Sequence, residues 1–287
     1  MTTEPLKIQR LSDKPSGESI TLFLYGKSGS GKTRLAGTLG DRTLYISCGE
    51  GEETLKSVDF KKYHKSNPIL YDPHEELNST GLPDNATALD AICTYIDRAL
   101  LEFGSEFDHI VIDDLTFLRK FAMFKALDVN QSLGKSKTKK DVLERFDVIL
   151  PAVQDFGTEM SIIEWFLSTY VIIAKQAKKN FIVLGHERLF YDKPKTIGEA
   201  AGVRKIGIAA TGQSFPDTIP LLFDEVWHAE VIGGGETAVY RVRTQGDEII
   251  TAKSRHGGTF NSTEIIKPDV SLLSMFSRIQ NNTPKGK

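Results

Sequence analysis

The sequence predicts an α/β protein: a central, mostly parallel sheet flanked by helices, with antiparallel strands added at its C-terminal edge. Three observations lead there. Short β-branched and aromatic runs ending at glycine or acid alternate with segments of helical period as far as residue 184. Beyond residue 224 the texture changes to strand-like runs, the first two joined through Gly233, Gly234 and Gly235. A chain of 287 residues, 40% hydrophobic and 26% charged, has the makeup of an ordinary globular domain with one extended core.

Each element follows in order. Residues 1–18 are polar, carry Pro5, Pro15 and Gly17, and read as a flexible N-terminal arm. The run 20–25 suits a buried strand ending at Gly26, and 32–39 a helix. A second strand at 43–47 leads into an acidic, glycine-broken turn at 49–53, and 68–71 is a third, short strand. Residues 86–103 place Leu89, Ile92, Cys93, Ile96 and Leu100 at helical spacing. A strand at 109–113 ends in acid. The stretch 115–179 is largely helical, broken at Gly134 and Pro151, with its longest piece at 159–178. The strand 181–185 ends at His186, and 187–212, which shows no firm period, reads as a long functional loop. Strands at 225–231, 237–244 and 248–253 and a helix at 271–279 complete the chain. The expected organisation is the arm 1–18, one domain over 19–268, and a C-terminal helix with polar tail over 269–287.

Composition narrows the function. A net charge of −2 provides no global basic field, so a nucleic-acid partner would need local patches. Cys48 and Cys93 lie far apart without metal-ligand spacing and read as reduced thiols. No apolar run is long enough to span a bilayer, and residues 1–9 lack a signal-peptide core. A soluble, cytoplasmic protein with no membrane partner is expected.

One motif carries most of the chemistry. Gly26, Lys27, Ser28, Gly29, Ser30, Gly31, Lys32 and Thr33 satisfy G-x-x-x-x-G-K-[ST], with a strand before and a helix after. Glycines let the backbone curl until successive N–H groups face a phosphate, and the start of the helix adds positive potential. Lys32 would neutralise the β- and γ-phosphates and the Thr33 hydroxyl would ligate Mg²⁺. Asp113, ending an apolar strand, is the expected carboxylate for the same metal. Asp114 either orients water or caps the following helix. The implied cofactors are ATP and Mg²⁺, although no residue that reads adenine is identifiable.

With these residues in place the chain resembles the RecA-like branch of P-loop ATPases. Within that branch it is most similar to the phage Sak-type single-strand annealing and recombination ATPases, over roughly residues 18–256. The resemblance implies a water-polarising glutamate in the acidic turn. Glu50 sits closest to the family position, but the spacing departs by about one residue, so Glu52 and Glu53 stay open. It implies a γ-phosphate sensor at His186, and it extends to the stretch 207–224 through Ile219, Pro220, Phe223 and Asp224. Lys253 and Arg255 resemble the K-x-R pair that reaches a neighbouring subunit's γ-phosphate in hexameric relatives, and strand alternation puts both on one face. Such a pair implies a homo-oligomer, ring or filament.

Two basic stretches are candidate DNA contacts, with solvated surface loops as the alternative. Lys135, Lys137, Lys139 and Lys140 fall in a polar stretch between helices. After His186, Arg188, Lys193, Lys195, Arg204 and Lys205 interleave with Phe190 and Tyr191, a composition suited to tracking and stacking single-stranded DNA. The expected function is an ATP-dependent, single-stranded-DNA-binding recombination ATPase, stimulated by DNA, with a single-strand-binding protein as a further candidate partner. It would act in the cytoplasm, that of the host if phage-encoded. Two other readings stand beside it: an accessory ATPase that loads or remodels a replication protein, and a small-molecule P-loop kinase. The kinase reading lacks a clear arginine-rich lid.

Overall fold

The computed structural model describes residues 19–49, 51–75, 87–133, 151–192, 202–212 and 214–282. The expected arm 1–18 and the tail beyond 282 lie outside these residues. In chain order the elements are β1 (Thr21–Gly26), α1 (Lys32–Gly37), β2 (Thr43–Ser47), α2 (Glu52–Lys56), α3 (Val58–Tyr63), β3 (Ile69–Tyr71), α4 (Ala88–Glu102), β4 (His109–Asp113) and α5 (Leu115–Ser132). There follow α6 (Val153–Gln176), β5 (Asn180–Tyr191), β6 (Val203–Ile208), α7 (Phe215–Leu222), β7 (Glu225–Ile232), β8 (Val239–Arg243), β9 (Lys253–Ser254), β10 (Thr263–Ile265) and α8 (Leu272–Asn282).

The strands form a sheet in the order β10-β8-β7-β1-β5-β4-β2-β3, with β6 paired to β5 and β9 to β7. From β3 across to β7 every pairing is parallel. The pairings of β6, β8, β9 and β10 are antiparallel. This is the mixed α/β architecture the sequence predicts, with a mostly parallel centre and antiparallel strands added at one edge. One strand, β5, separates the strand that leads into the glycine-rich loop from the strand that ends at Asp113.

Strands covered on both faces need apolar side chains on both, and the central ones have them. On one face Phe23, Tyr25, Ile110, Ile112, Phe181 and Val183 meet the buried sides of α4, α5, α6 and α7. On the other, Leu22, Leu24, Tyr45, Val111, Ile182, Leu184 and Trp227 meet α1, Leu55, Phe60 and α8. Residues of α8 buried at i, i+3, i+4 and i+7 (Leu272, Met275, Phe276, Ile279) belong to this second core. The N–H of Leu272 also donates to Thr38 Oγ1 at 2.7 Å, joining the end of α1 to the start of α8.

Three segments differ from expectation, each for a local reason. The longest helix starts at Val153 rather than at 159. The buried Asp155 carboxylate accepts the Ala152 N–H and the Asn130 amide, each at 2.7 Å, and so fixes the helix's first turn. The stretch read as a loop from 187 is a β-hairpin: β5 runs on to Tyr191 and pairs with β6, from Glu187 opposite Ile208 to Phe190 opposite Lys205. Cations and Gly207 on its strands hide the two-residue period that burial would have revealed. The strand expected at 248–253 is confined to Lys253–Ser254, because the Asp247 carboxylate accepts the N–H groups of Ile249 and Ile250 at 2.8 and 2.7 Å and folds that stretch into a turn. No described helix is long and apolar enough to cross a membrane.

Candidate phosphate and metal site

The glycine-rich loop leaves β1 at Gly26, where an added Cβ would run into the Ala229 carbonyl of β7. Gly29 and Gly31 take left-handed conformations, at φ 77° and 84°, that side chains disfavour. The loop therefore curls tightly, and Lys32 enters α1 with its ammonium turned inward, donating to the carbonyl oxygens of Gly26 at 3.0 Å and Lys27 at 2.8 Å. Burial pulls the Lys32 pKa down, against the opposing fields of Asp114, Asp113 and Glu187. Ser30 Oγ is buried on this loop with no hydrogen-bond partner among the described residues.

Asp113 stands at the end of β4, two strands from Gly26. One of its oxygens, Oδ2, accepts from Thr33 Oγ1 at 2.9 Å and from the Tyr45 hydroxyl. Burial pushes its pKa up, aided by Asp114, while the two hydroxyls and Lys32 pull the other way. Among the described residues no cation is ion-paired with it. Asp114 makes the expected cap: Oδ1 accepts the N–H groups of Thr116 at 2.8 Å and Phe117 at 3.2 Å, opening α5. Its other oxygen lies 3.0 Å from His186 Nδ1, and Thr116 Oγ1 meets the same nitrogen at 2.9 Å.

His186 is level with Gly26 in the β1–β5 register, so the structure brings Lys32, Thr33, Asp113 and His186 to one end of the sheet. Glu50 lies outside the described residues. Its neighbour Gly51 passes so close to Asp113 that a Cβ there would strike the carboxylate. Glu52 is buried and accepts a hydrogen bond from the Ser47 hydroxyl, whereas Glu53 is exposed and pairs with Lys56 at 2.6 Å.

Other residues singled out in the sequence fall elsewhere. Lys253 faces Val226 in the register of β9 on β7, near the opposite end of the sheet. Arg255 Nη1 donates to Asp224 Oδ1 at 2.8 Å there. The structure does not bring either residue to the loop of its own chain. Lys135, Lys137, Lys139, Lys140, Lys193 and Lys195 lie outside the described residues. Arg188, Arg204 and Lys205 lie on the hairpin. Arg188 is exposed, stands 5.3 Å from the centroid of Phe190 and edges a cleft of about 570 Å³ that Arg119, Phe156 and Met160 also line. Arg204 is exposed, and Lys205 is tied to Asp217.

Sequence reasoning missed Tyr45 and a buried pair, Glu187 Oε2 with His228 Nε2 at 2.7 Å, beside Tyr25. Each depends on strand register between distant segments, and no local pattern marks it.

The chain is similar to a KaiC-like protein from the hyperthermophilic archaeon Pyrococcus horikoshii OT3, at 15% identity over 87% of both chains and a TM-score of 0.42. It is also similar to the RadB recombinase, at 14% identity over 78% of this chain and 79% of that one, with a TM-score of 0.37. No curated protein matches. A family model described as an AAA domain matches residues 18–256, from the edge of β1 past β9. By that match, which takes in the loop, Asp113 and the hairpin together, the chain belongs to the AAA_24 family of AAA-domain, P-loop ATPases.

Proposed function

We propose that this chain is a recombination ATPase of the phage Sak type, which binds single-stranded DNA and acts as a homo-oligomer to anneal or pair strands. The observation that carries this reading is the continuity of β5. The strand brings His186 against Asp114 and Thr116 at the nucleotide end of the sheet. Two residues later it presents the exposed Arg188, beside Phe190. A change in ligand at the loop thus has a short, stiff route to a cation and an aromatic ring of the kind that holds single strands.

The residues present fit Mg·ATP. Ser30 supplies a buried hydroxyl without a partner, Lys32 an ammonium, Thr33 a hydroxyl and Asp113 a carboxylate with no bound cation. Among the described residues there is no cluster of three or more His, Cys, Asp or Glu to hold a metal. None is needed where phosphate oxygens and water complete the shell. When bound, Mg²⁺ would neutralise charge on the β- and γ-phosphate oxygens. Lys32 would exchange its two carbonyl partners for phosphate oxygen. Tyr45 would hold the Asp113 carboxylate in orientation, and Glu50 would accept a proton from the attacking water. Lys253 and Arg255 would serve the neighbouring subunit, which requires Arg255 to release Asp224.

A second reading, an accessory ATPase acting on another replication protein, draws on Trp165 and Ile172, both exposed on one face of α6. Turnover measured with and without single-stranded DNA, beside a gel-shift in rising salt, separates the two. The recombination reading expects DNA-stimulated hydrolysis and binding that weakens steeply with salt. Absence of binding at low salt overturns it.

A further inference from the structure

Tyr240 lies against the glycine-rich loop on the flank opposite Asp113. To one side of β1 come β5 and then β4; to the other come β7 and then β8. Thr33 and Asp113, which would hold the metal and the terminal phosphates, meet on the β4 side. The sugar and base of a nucleotide lying along the loop therefore extend toward β7 and β8.

Tyr240 stands there, opposite Val231 in the β7–β8 register. Alternation puts this pair on the face that also carries Trp227, Ala229 and Val242, the face that α1 covers. Along that row burial is complete at Trp227 and Ala229, then gives way to 37% exposure at Val231 and 40% at Tyr240 as the row reaches the level of the loop. The tyrosine ring comes within 3.2 Å of the place a Cβ on Gly31 would occupy, so glycine there allows the ring to approach the backbone. Its main chain is fixed from β7 on one side and by the Ile266 N–H at 2.8 Å on the other. The result is an aromatic ring held on a rigid strand beside the phosphate cradle, part of its surface open.

We propose that Tyr240 stacks on the nucleobase of the bound nucleotide, with Val231 as its apolar neighbour. This inference rests on the nucleotide-binding reading given above. Because every base presents a π-face, the stack adds affinity without strong choice between bases.

The test compares Mg·ATP with magnesium tripolyphosphate, which has the charge but no base, on the full chain and on Tyr240→Ala, Tyr240→Phe and Tyr240→Trp. Tyr240→Ala is expected to weaken Mg·ATP binding about 10-fold and leave tripolyphosphate binding unchanged. Tyr240→Phe is expected to bind both as the parent chain does. Tyr240→Trp should gain a fluorescence signal that ATP quenches and tripolyphosphate does not, above the background of Trp165 and Trp227. Equal losses for both ligands in Tyr240→Ala would make the ring a mere strut for Gly31 and overturn the proposal, as would no loss for either. If the parent chain binds neither ligand, the nucleotide-binding reading itself fails. Tripolyphosphate bound as tightly as ATP by the parent chain would overturn the stack while leaving the phosphate cradle standing.

Discussion

Two aspartates close opposite ends of the same sheet, and they are kept in opposite electrostatic states. Among the described residues Asp113, beside the glycine-rich loop, accepts side-chain hydrogen bonds from the Thr33 and Tyr45 hydroxyls alone, and burial holds its pKa above the ordinary aspartate value of 3.8. Asp224, at the foot of β7, is likewise largely buried but accepts from Lys175 and Arg255, each at 2.8 Å, as well as from Thr21. Burial alone would raise its pKa; the Lys175 ammonium and the Thr21 hydrogen bonds outweigh it and bring the value below 3.8. Glu225, next to it, is completely buried, accepts from the Trp227 indole N–H and the Ser254 hydroxyl, and lies 2.8 Å from His256 Nδ1. A buried carboxylate provided with cations belongs to the scaffold. One left without them stores an unmet demand for positive charge, which a metal ion answers.

That contrast can be broken at either end. Asp113→Asn should reduce nucleotide turnover on the order of 100-fold. Its unfolding midpoint should stay unchanged or rise, since a neutral amide avoids the cost of a buried charge. Steady-state hydrolysis together with thermal melts checks both halves, and a strongly destabilised variant would place Asp113 in the scaffold class. Asp224→Asn should do the reverse. It leaves Lys175 and Arg255 without their carboxylate; because both cations reach solvent, the cost in denaturant titration should be about 1 kcal/mol, while turnover per folded molecule holds.

A smaller effect asks whether the lower site has a second duty. Subunits carrying Arg255→Ala, mixed with subunits carrying Lys32→Ala, should recover a fraction of parental turnover if Arg255 works across a subunit seam. Because both variants are inactive alone under that reading, hydrolysis rising above both parents is the sign to measure. If Arg255→Ala alone hydrolyses at the parental rate, its service ends at Asp224.

Acid provides the mildest separation. A carboxyl with a raised folded pKa favours the folded state when protonated, and this gain is lost as pH rises through that pKa. If Asp113 holds the metal as proposed, protonating it therefore removes that ligand without unfolding the chain. Asp224 is the opposite case: its contribution is present above 3.8 and is lost as pH falls through its lowered folded value. On acidification from neutral pH, Mg²⁺-dependent nucleotide binding should disappear above the ordinary aspartate range, before the fold responds. Tyr45→Phe removes a hydrogen bond that favours the ionised Asp113 and should move that midpoint to higher pH. Binding titrations read against circular dichroism over the same pH series would show it. Coincident loss of binding and structure would erase the distinction.

The same contrast explains what could be read from the sequence. The loop from Gly26 to Thr33 is contiguous and its spacing is fixed by phosphate geometry, so it is legible without a fold. Asp113 is legible as the acid that ends an apolar strand. That β5 lies between their two strands is a matter of strand order, which no local pattern states. What escaped was everything set by register over long separations: Tyr45 donating to Asp113, Glu187 against His228, Tyr240 against Gly31. The hairpin of β5 and β6 was hidden for a related reason. Its strands pair with each other beyond the edge of the buried sheet, so no apolar alternation announces them. Arg255 shows the converse limit, because a K-x-R pattern states which cations are present but not that a carboxylate at the foot of β7 already holds one of them.

The bond from Leu272 to Thr38 has a consequence for how the protein is made. The helix that begins the nucleotide site is sealed on its apolar side by a helix whose buried residues run to Ile279. During synthesis the glycine-rich loop emerges early, yet the side of α1 facing this second core stays wet until those last residues have cleared the ribosome. The nucleotide site should therefore mature only after translation has passed α8, and a nascent chain stalled before that helix should be captured by chaperones rather than by ATP.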